Sequence, residues 1–395
     1  MVEMSYMGTK RMLVSSIAAA IREASDLPLL ELFAGMSSLS QELASERSIL
    51  ANDTQMFAST VCEFRYLPHN KVPLGFAKSR EFVDAYRENV RALRESVGDQ
   101  INLEANAITG CHELFAKFDT ALRQKSALFS SVTEFSLFTR QYSGTYFGLA
   151  QCVEIDSIRC GIDAVVPEGE VDHAWLRRRL LVALGVAMSR CSNSTGHFAQ
   201  YLTCREENAQ RVKNQRRRSI YDLWLQIARK LEPSVPADTA NRNEVFRKDA
   251  IELLGELGGK EQSLIVYADP PYTSDQYSRY YHLLDTMVAY DHPEIGFKGR
   301  YRSNRFVSGW SKSSEVDEQF NSMIKICSDA GFPLIISYPD NGLLPNSTER
   351  ISEKLAEHYA TVTVSEPITH LHSTMGASKG VQKMAVGERL FVAKP

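Results

Sequence analysis

Several features are missing from this 395-residue chain, and each absence narrows what it does. No apolar run approaches the ~20 residues needed to cross a bilayer, and the opening MVEMSYMGTK carries no apolar signal core. A cytoplasmic protein with no membrane partner is therefore expected. None of the seven cysteines forms a C-x-x-C pair. That scatter argues for reduced thiols, with neither a disulfide framework nor a zinc site, and no metal is expected. There is no G-x-G-x-x-G: the candidate turn reads Gly35-Met36-Ser37-Ser38-Leu39-Ser40. A nicotinamide or flavin enzyme is disfavoured on that ground. Repeats and low-complexity tracts are absent. The net charge of −3 gives no global attraction to nucleic acid, so any such role has to come from local patches.

Two such patches exist. Residues 176–230 hold twelve Lys and Arg, including Arg216-Arg217-Arg218, against three acids. The second, FKGRYRSNRFVSGWSK, has Lys298, Arg300, Arg302, Arg305 and Lys312 and no acid. Cations interleaved with aromatic and small residues have the composition of a loop that tracks phosphates. A solvated helix face is the plain alternative for the first patch, and an ordinary polar loop for the second.

Short apolar runs with strand character occur at Leu29–Phe33, Ile49–Asp53, Glu244–Asp249, Leu264–Asp269, Pro333–Tyr338, Thr361–Ile368 and Arg389–Ala393. Stretches of helical length such as Leu39–Glu46, Glu315–Ser328 and Ser347–His358 alternate with them, which predicts an open, mostly parallel α/β sheet. Ligands of such sheets lie beyond the carboxyl ends of the strands. About 190 residues, Thr54 to Asn243, interrupt the alternation with helical patterning. That is too long for a loop and predicts an inserted domain. Glu232–Glu244, with its two prolines, suits the return linker.

The first run turns at Gly35 and opens a helix near Ser38, where S-x-x-Q with Gln41 fits a capping box. The second run delivers Asp53. A glycine turn followed by an acid ending the next strand is a general device for holding an adenosine. The run Leu264–Ala268 then meets Asp269-Pro270-Pro271-Tyr272. Two prolines make a stiff elbow at a strand tip.

An Asp-Pro-Pro-Tyr at a strand tip, downstream of an F-x-G turn and an acidic second strand, resembles the DNA adenine-N6 methyltransferases. The opening YMGTKRMLVSSIAAAI is similar to the N-terminal motif of their Dam-like, α-class members, and the motif order is that of the class. The resemblance implies a Rossmann-like S-adenosylmethionine-dependent methyltransferase fold with a seven-stranded mixed sheet. Residues 1–53 and 244–395 would form the catalytic domain, and 54–243 an inserted, mainly helical target-recognition domain. It also assigns Tyr6, Lys10, Glu31, Phe33, Gly35, Asp53, Asp249 and Asp269 to the cofactor, with Asp53 on the ribose and Asp249 on the adenine amino group. Ser37 stands where members often carry a second glycine. Double-stranded DNA is the implied partner, along with a cognate restriction endonuclease.

The same residues make chemical sense. Adenine's exocyclic nitrogen is a poor nucleophile because its lone pair is delocalised into the ring. A carboxylate from Asp269 and the Pro270 carbonyl, accepting its two hydrogens, favour the pyramidal nitrogen that attacks a methyl group. Pro271 would hold the carbonyl, and Tyr272 offers a face for a base that has left the duplex. Tyr277, Tyr280, Tyr281 and His282 either line the cleft or pack in the core. His370 and His372 are read as polar strand residues rather than a metal pair. RNA adenine or protein glutamine remains the alternative substrate, and a DNA-binding module with a vestigial cofactor fold is the non-enzymatic reading. Arg216, Arg217, Arg218, Lys298, Arg300, Arg302 and Arg305 are the candidate DNA contacts.

Overall fold

Apolar runs of three to six residues, flanked by turns, bury fully only when sheet neighbours cover their edges and helices cover their faces. That is how they are used here. The computed structural model describes residues 13–69, 79–130, 132–166, 169, 173–236, 240–373 and 383–395, the side chains of 127, 369–373 and 383–386 excepted. The strands in chain order are β1 (Leu29–Glu31), β2 (Ile49–Asn52), β3 (Glu244–Phe246), β4 (Ile265–Ala268), β5 (Ile295–Gly296), β6 (Tyr301–Arg302), β7 (Leu334–Pro339), β8 (Thr361–Val364), β9 (Ile368–Ser373) and β10 (Lys383–Lys394). All but β5 and β6 form one sheet in the order β3-β2-β1-β4-β7-β10-β8.

The first five strands in that order run parallel, and β10 is antiparallel to β7, β8 and β9. Glu388 of β10 pairs with Pro339 on one side and Ile368 of β9 on the other, while Phe391 pairs with Ile336 and Val364 of β8. Thus β8 and β9 share one edge of β10, and the eight strands fill the seven positions of a mixed α/β methyltransferase sheet. The expected single run Thr361–Ile368 is split because Pro367 has no donor for the ladder.

The pleat sends alternate side chains to opposite faces. Leu30, Val266, Leu334 and Ile336 join one core with Leu253, Leu254, Phe320, Ile324 and Leu355. Leu29, Ile49, Ile265 and Ile335 join the other with Ile17, Ile21, Leu39 and Leu43. Helix Val316–Asp329 shows why it packs there: Val316, Phe320, Met323, Ile324 and Cys327 form one buried stripe.

Of the described residues, those within 13–69, 233–278 and 305–395 make up this sheet unit, and those within 79–232 and 279–304 a second, helical unit. The junctions differ from the expected 53/54 and 243/244. Helix Met56–Tyr66 stays with the sheet because Cys62 and Tyr66 lie in its core, and Asn243 accepts the Ile49 N–H at 2.8 Å. Segment 279–304 leaves it, with Tyr281 and His282 buried in the helical unit.

Within the helical unit, carboxylates sit at helix beginnings and cations at helix ends, where free N–H and C=O groups need partners. Glu104 accepts the N–H groups of Leu149 and Ala150, both at 2.9 Å, at the start of helix Leu149–Val165. Glu154 does the same for Ile220 and Tyr221 of helix Ile220–Lys230. Lys213 donates to the Gly110 carbonyl at 2.6 Å, just past helix Arg80–Thr109. Among the described residues no helix is long and apolar enough to cross a membrane, and all seven cysteines are free thiols.

Candidate active site

The loop after β1 is held by the strand beside it. Ala34 N–H donates to the Asn52 carbonyl at 2.8 Å, and Gly35 turns at φ +50°, a region open to glycine at little cost. Its N–H donates to Asp53 Oδ2 at 2.9 Å, while Asp53 Oδ1 accepts from Gln55 N–H at 2.8 Å. Asp53 is therefore the clasp of this turn as well as a ligand candidate. Buried Asn52 ties the Leu32 carbonyl to the Lys248 backbone beneath it.

Ser37, in the second glycine position, also adopts left-handed backbone at φ +54°, which costs a non-glycine residue on the order of 1–2 kcal/mol. Its Oγ lies 2.8 Å from the Tyr66 hydroxyl and donates to Glu31 at 3.4 Å. The capping box does not form: Ser37, not Ser38, precedes helix Ser38–Leu43, without a side-chain cap, and the Gln41 side chain accepts from Arg65 instead.

The tip of β4 supplies the facing wall. Asp269 leaves the strand partly buried; Ser337 Oγ lies 3.5 Å from its Oδ1 and 2.6 Å from Glu388 Oε1. The Tyr272 carbonyl accepts from Leu343 N–H at 2.9 Å, and its ring rests against the sheet core. Gln276 clamps Ser308 twice, donating to its carbonyl at 3.1 Å and accepting its N–H at 2.8 Å. Ser278 Oγ donates to the Phe306 carbonyl at 2.6 Å. These bonds fix the loop that carries Trp310, whose ring meets Phe33 edge-on at 5.3 Å and Phe320 at 5.1 Å. Trp310, Gln276 and Asn52 were missed by sequence reasoning. A tryptophan and glycine inside a basic loop was the available signal for the first.

These elements line one open cavity, with roughly 1060 Å³ of empty space when its mouth is counted. It is lined by Glu31, Phe33, Gly35, Asp53, Asp249, Asp269, Pro270, Pro271, Tyr272, Tyr277 and Trp310 among others. It lies past the carboxyl ends of β1, β2 and β4, where the strand order reverses. Burial pushes the Glu31 carboxyl up to about 7 against the pull of the Ser40 and Ser37 hydroxyls, with Asp269 adding to the rise. Burial likewise pushes Asp53 up to about 6, against the Gln55 and Gly35 N–H groups. Phe33 and Trp310 offer apolar walls, and the carboxylates suit sugar hydroxyls or a cationic end group.

The structure brings Glu31, Phe33, Gly35, Asp53, Asp249 and Asp269–Tyr272 to this one cavity. Asp249 has a second duty there: its Oδ1 caps helix Ala250–Gly258 through the N–H groups of Ile251 and Glu252. Tyr277 lines the cavity, whereas Tyr281 and His282 are buried in the helical unit. Tyr6 and Lys10 lie outside the described residues, as do the side chains of His370 and His372.

The cation assignments need correction. Arg216 is buried and pairs with buried Asp119 at 2.9 Å, also donating to the Thr145 carbonyl; a side chain 1% exposed cannot reach a phosphate. Arg300 donates to the carbonyls of Gln141 and Arg123, half-buried. Arg302 grips Asp291 with both terminal nitrogens, at 2.8 and 2.5 Å. Arg217 and Arg218 are exposed, each with one bond to a helix-end carbonyl, of Ile108 and Arg190. Lys298 is exposed, and Arg305 donates to Ser278 at 3.1 Å.

Residues 192–325, which include the Asp-Pro-Pro-Tyr tip, match the D12 class N6 adenine-specific DNA methyltransferase family. The chain is 23% identical over 344 residues to modification methylase LlaI of Lactococcus lactis subsp. lactis, covering 87% of this chain and 47% of that protein. It is 30% identical over 221 residues to type II methyltransferase M.FokI of Planomicrobium okeanokoites, covering 54% and 29%. Modification methylase StsI of Streptococcus sanguinis shares 23% over 359 residues, 90% of this chain and 46% of that one. The chain thus spans half or less of the length of these relatives. Over residues 192–325 the chain is thus similar to the D12 class of N6 adenine-specific DNA methyltransferases, and its sheet order fits an α/β methyltransferase fold.

Proposed function

We propose that this chain methylates the exocyclic N6 of an adenine turned out of double-stranded DNA, with S-adenosylmethionine as donor, as the modification half of a restriction-modification pair. The observation that carries the reading is the single cavity shared by the Phe33–Gly35 turn, Asp53 and the Asp269–Tyr272 tip. The cavity's acceptors fit the cofactor: Asp53 suits ribose hydroxyls, Asp249 the adenine amino group through its second oxygen, and Glu31 the cationic amino-acid end. Phe33 and Trp310 supply the apolar wall. When bound, the cofactor supplies an electrophilic methyl group on a sulfonium.

The remaining work falls to side chains of this chain. Asp269 accepts one amino hydrogen of the target base and the Pro270 carbonyl the other, which returns lone-pair density to the nitrogen. Pro271 restricts that carbonyl, and Tyr272 stacks on the base. A fixed tip serves the reaction because nucleophile and methyl group must lie in line.

The helical unit is proposed to read the target sequence, with its Lys298, Arg217 and Arg218 as the remaining candidates for phosphate contact; Arg305 remains a candidate on the sheet unit. Names of the relatives, modification methylases and type II methyltransferases, favour DNA over RNA adenine or protein glutamine. Tritium transfer from labelled cofactor to plasmid DNA, tRNA and protein, measured side by side, tests the choice. Label in tRNA or protein but not in plasmid would overturn it.

A further inference from the structure

At the carboxyl end of the sheet, polar side chains collect on a face that is otherwise apolar. Leu29, Ile265, Ile335 and Leu390 belong to one core, and strand alternation puts Glu31, Tyr267, Asp269, Ser337 and Glu388 on that same face. Register brings them close: Glu31 lies opposite Tyr267, and Ser337 opposite Leu390, two residues from Glu388. Glu388 and Ser337 are 1% and 0% exposed. A carboxylate buried this deeply costs the fold unless it is hydrogen-bonded. An apolar residue would serve β10 better.

The Ser337 hydroxyl fixes the direction of the bonds. Its Oγ is 2.6 Å from Glu388 Oε1, in the range of a charge-assisted O–H···O⁻ bond, and 3.5 Å from Asp269 Oδ1. A hydroxyl has one proton, and the nearer carboxylate takes it. Asp269 therefore meets the lone-pair side of Ser337, with a second carboxylate behind it. Two other titratable groups share this field. Burial, then the Asp269 and Glu388 carboxylates, push the Tyr267 phenol of β4 well up, against the Ser337 hydroxyl. Glu31 of β1 is raised first by burial, and Asp269 adds to that rise.

The geometry points to Glu388 as a positioning residue for methyl transfer: by holding the Ser337 proton, it keeps the facing oxygen of Asp269 an acceptor for the amino hydrogen of the target base. With Ser337 turned away, Asp269 pulls harder on that hydrogen and returns more lone-pair density to the nitrogen. The inference rests on the proposed methylation of adenine and concerns what makes its strand-tip carboxylate a strong acceptor. In Glu388→Gln the amide donates to Ser337 Oγ, and the hydroxyl proton turns to Asp269.

Full-length variants are compared for tritium transfer to plasmid DNA from acid to mildly alkaline pH, beside calorimetry of cofactor binding and thermal midpoints. Glu388→Gln should bind cofactor and duplex as wild type does but transfer methyl roughly ten- to hundredfold more slowly at saturating substrates. The acid limb of its rate profile should move to lower pH, because a hydrogen bond to a carboxylate favours the charged form. Adding Ser337→Ala removes the redirected hydroxyl and should return part of the rate. A wild-type rate in Glu388→Gln, or weakened cofactor binding with the limb unmoved, overturns the role. So does a further loss of rate on adding Ser337→Ala. Ser337→Ala alone should leave the limb in place. A limb moved to higher pH would show that the wild-type hydroxyl donates to Asp269, and overturns the role even if Glu388→Gln does not fold. These reversals, found with an active wild type, leave adenine methylation standing. A wild type that transfers no methyl to DNA overturns both together.

Discussion

Replacing Arg216 separates a structural cation from a DNA-binding one. Its guanidinium and the Asp119 carboxylate are 1% and 3% exposed and 2.9 Å apart. Removing one partner of such a buried pair costs about 3–5 kcal/mol, because the other charge stays buried. Asp119 keeps Arg123, which is 13% exposed, so Arg216→Met should fall at the low end, about 3 kcal/mol. With a urea slope of about 1–3 kcal/mol per molar, the unfolding midpoint should drop by roughly 1–3 M. Trp175 and Trp224 lie in the helical unit and report its unfolding by fluorescence. Arg217→Met and Arg218→Met remove exposed contacts to helix-end carbonyls and should each cost under about 1 kcal/mol. Arg216→Met with Asp119→Leu should recover only part of the loss: the buried carboxylate is gone, but Arg123, 13% exposed, loses its partner. A wild-type midpoint for Arg216→Met, together with weakened duplex binding and a shallower salt slope, would refute this assignment and return Arg216 to the DNA surface.

Asp53→Ala should lower cofactor affinity ten- to hundredfold, since a charge-assisted hydrogen bond is worth about 1.5–3 kcal/mol; unchanged affinity in calorimetry of the folded variant would remove Asp53 from the site. Glu31 is raised from 4.5 to about 7 in the folded state, so the stability it contributes is present below about pH 4.5 and is lost as pH rises through 7. Glu31→Gln should flatten that decline in thermal midpoints taken between pH 5 and 8, and an unchanged slope would show that another group sets it. Tyr272→Ala should lose much of the rate while Tyr272→Phe keeps most of it; equal damage from both would mean that the hydroxyl, not the ring, matters.

What was legible in the sequence depended on local patterning. The strand runs of β1, β2, β4 and β7 are buried on both faces and read as short apolar stretches, and the polar residues ending the first three mark the cavity directly. The Asp269–Tyr272 tip was visible because two prolines cannot continue a strand. Charge roles were not legible, because they depend on distant partners: Arg216 meets Asp119 97 residues away, and Arg217 meets Ile108 at 109. In the run Arg216-Arg217-Arg218, adjacent positions point to different environments, one into the core and two toward helix ends. Asp249 shows a signal passed over. An acid directly before the helical stretch from Ala250, with Glu252 three residues on, is a helix start, and its side chain caps that helix besides lining the cavity. The Gln41 cap failed for the opposite reason: a local pattern lost to Arg65, which arrives from another helix.

Methyl transfer to DNA, with the product base identified, tests the proposed function most directly. The purified chain is incubated with tritiated S-adenosylmethionine and plasmid DNA, and the DNA is digested to nucleosides and separated. Label is expected in N6-methyladenine alone, and it should vanish in Asp269→Ala while that variant still binds cofactor and duplex. Label in a methylated cytosine, or undiminished transfer by Asp269→Ala, would contradict the role given to the strand tip.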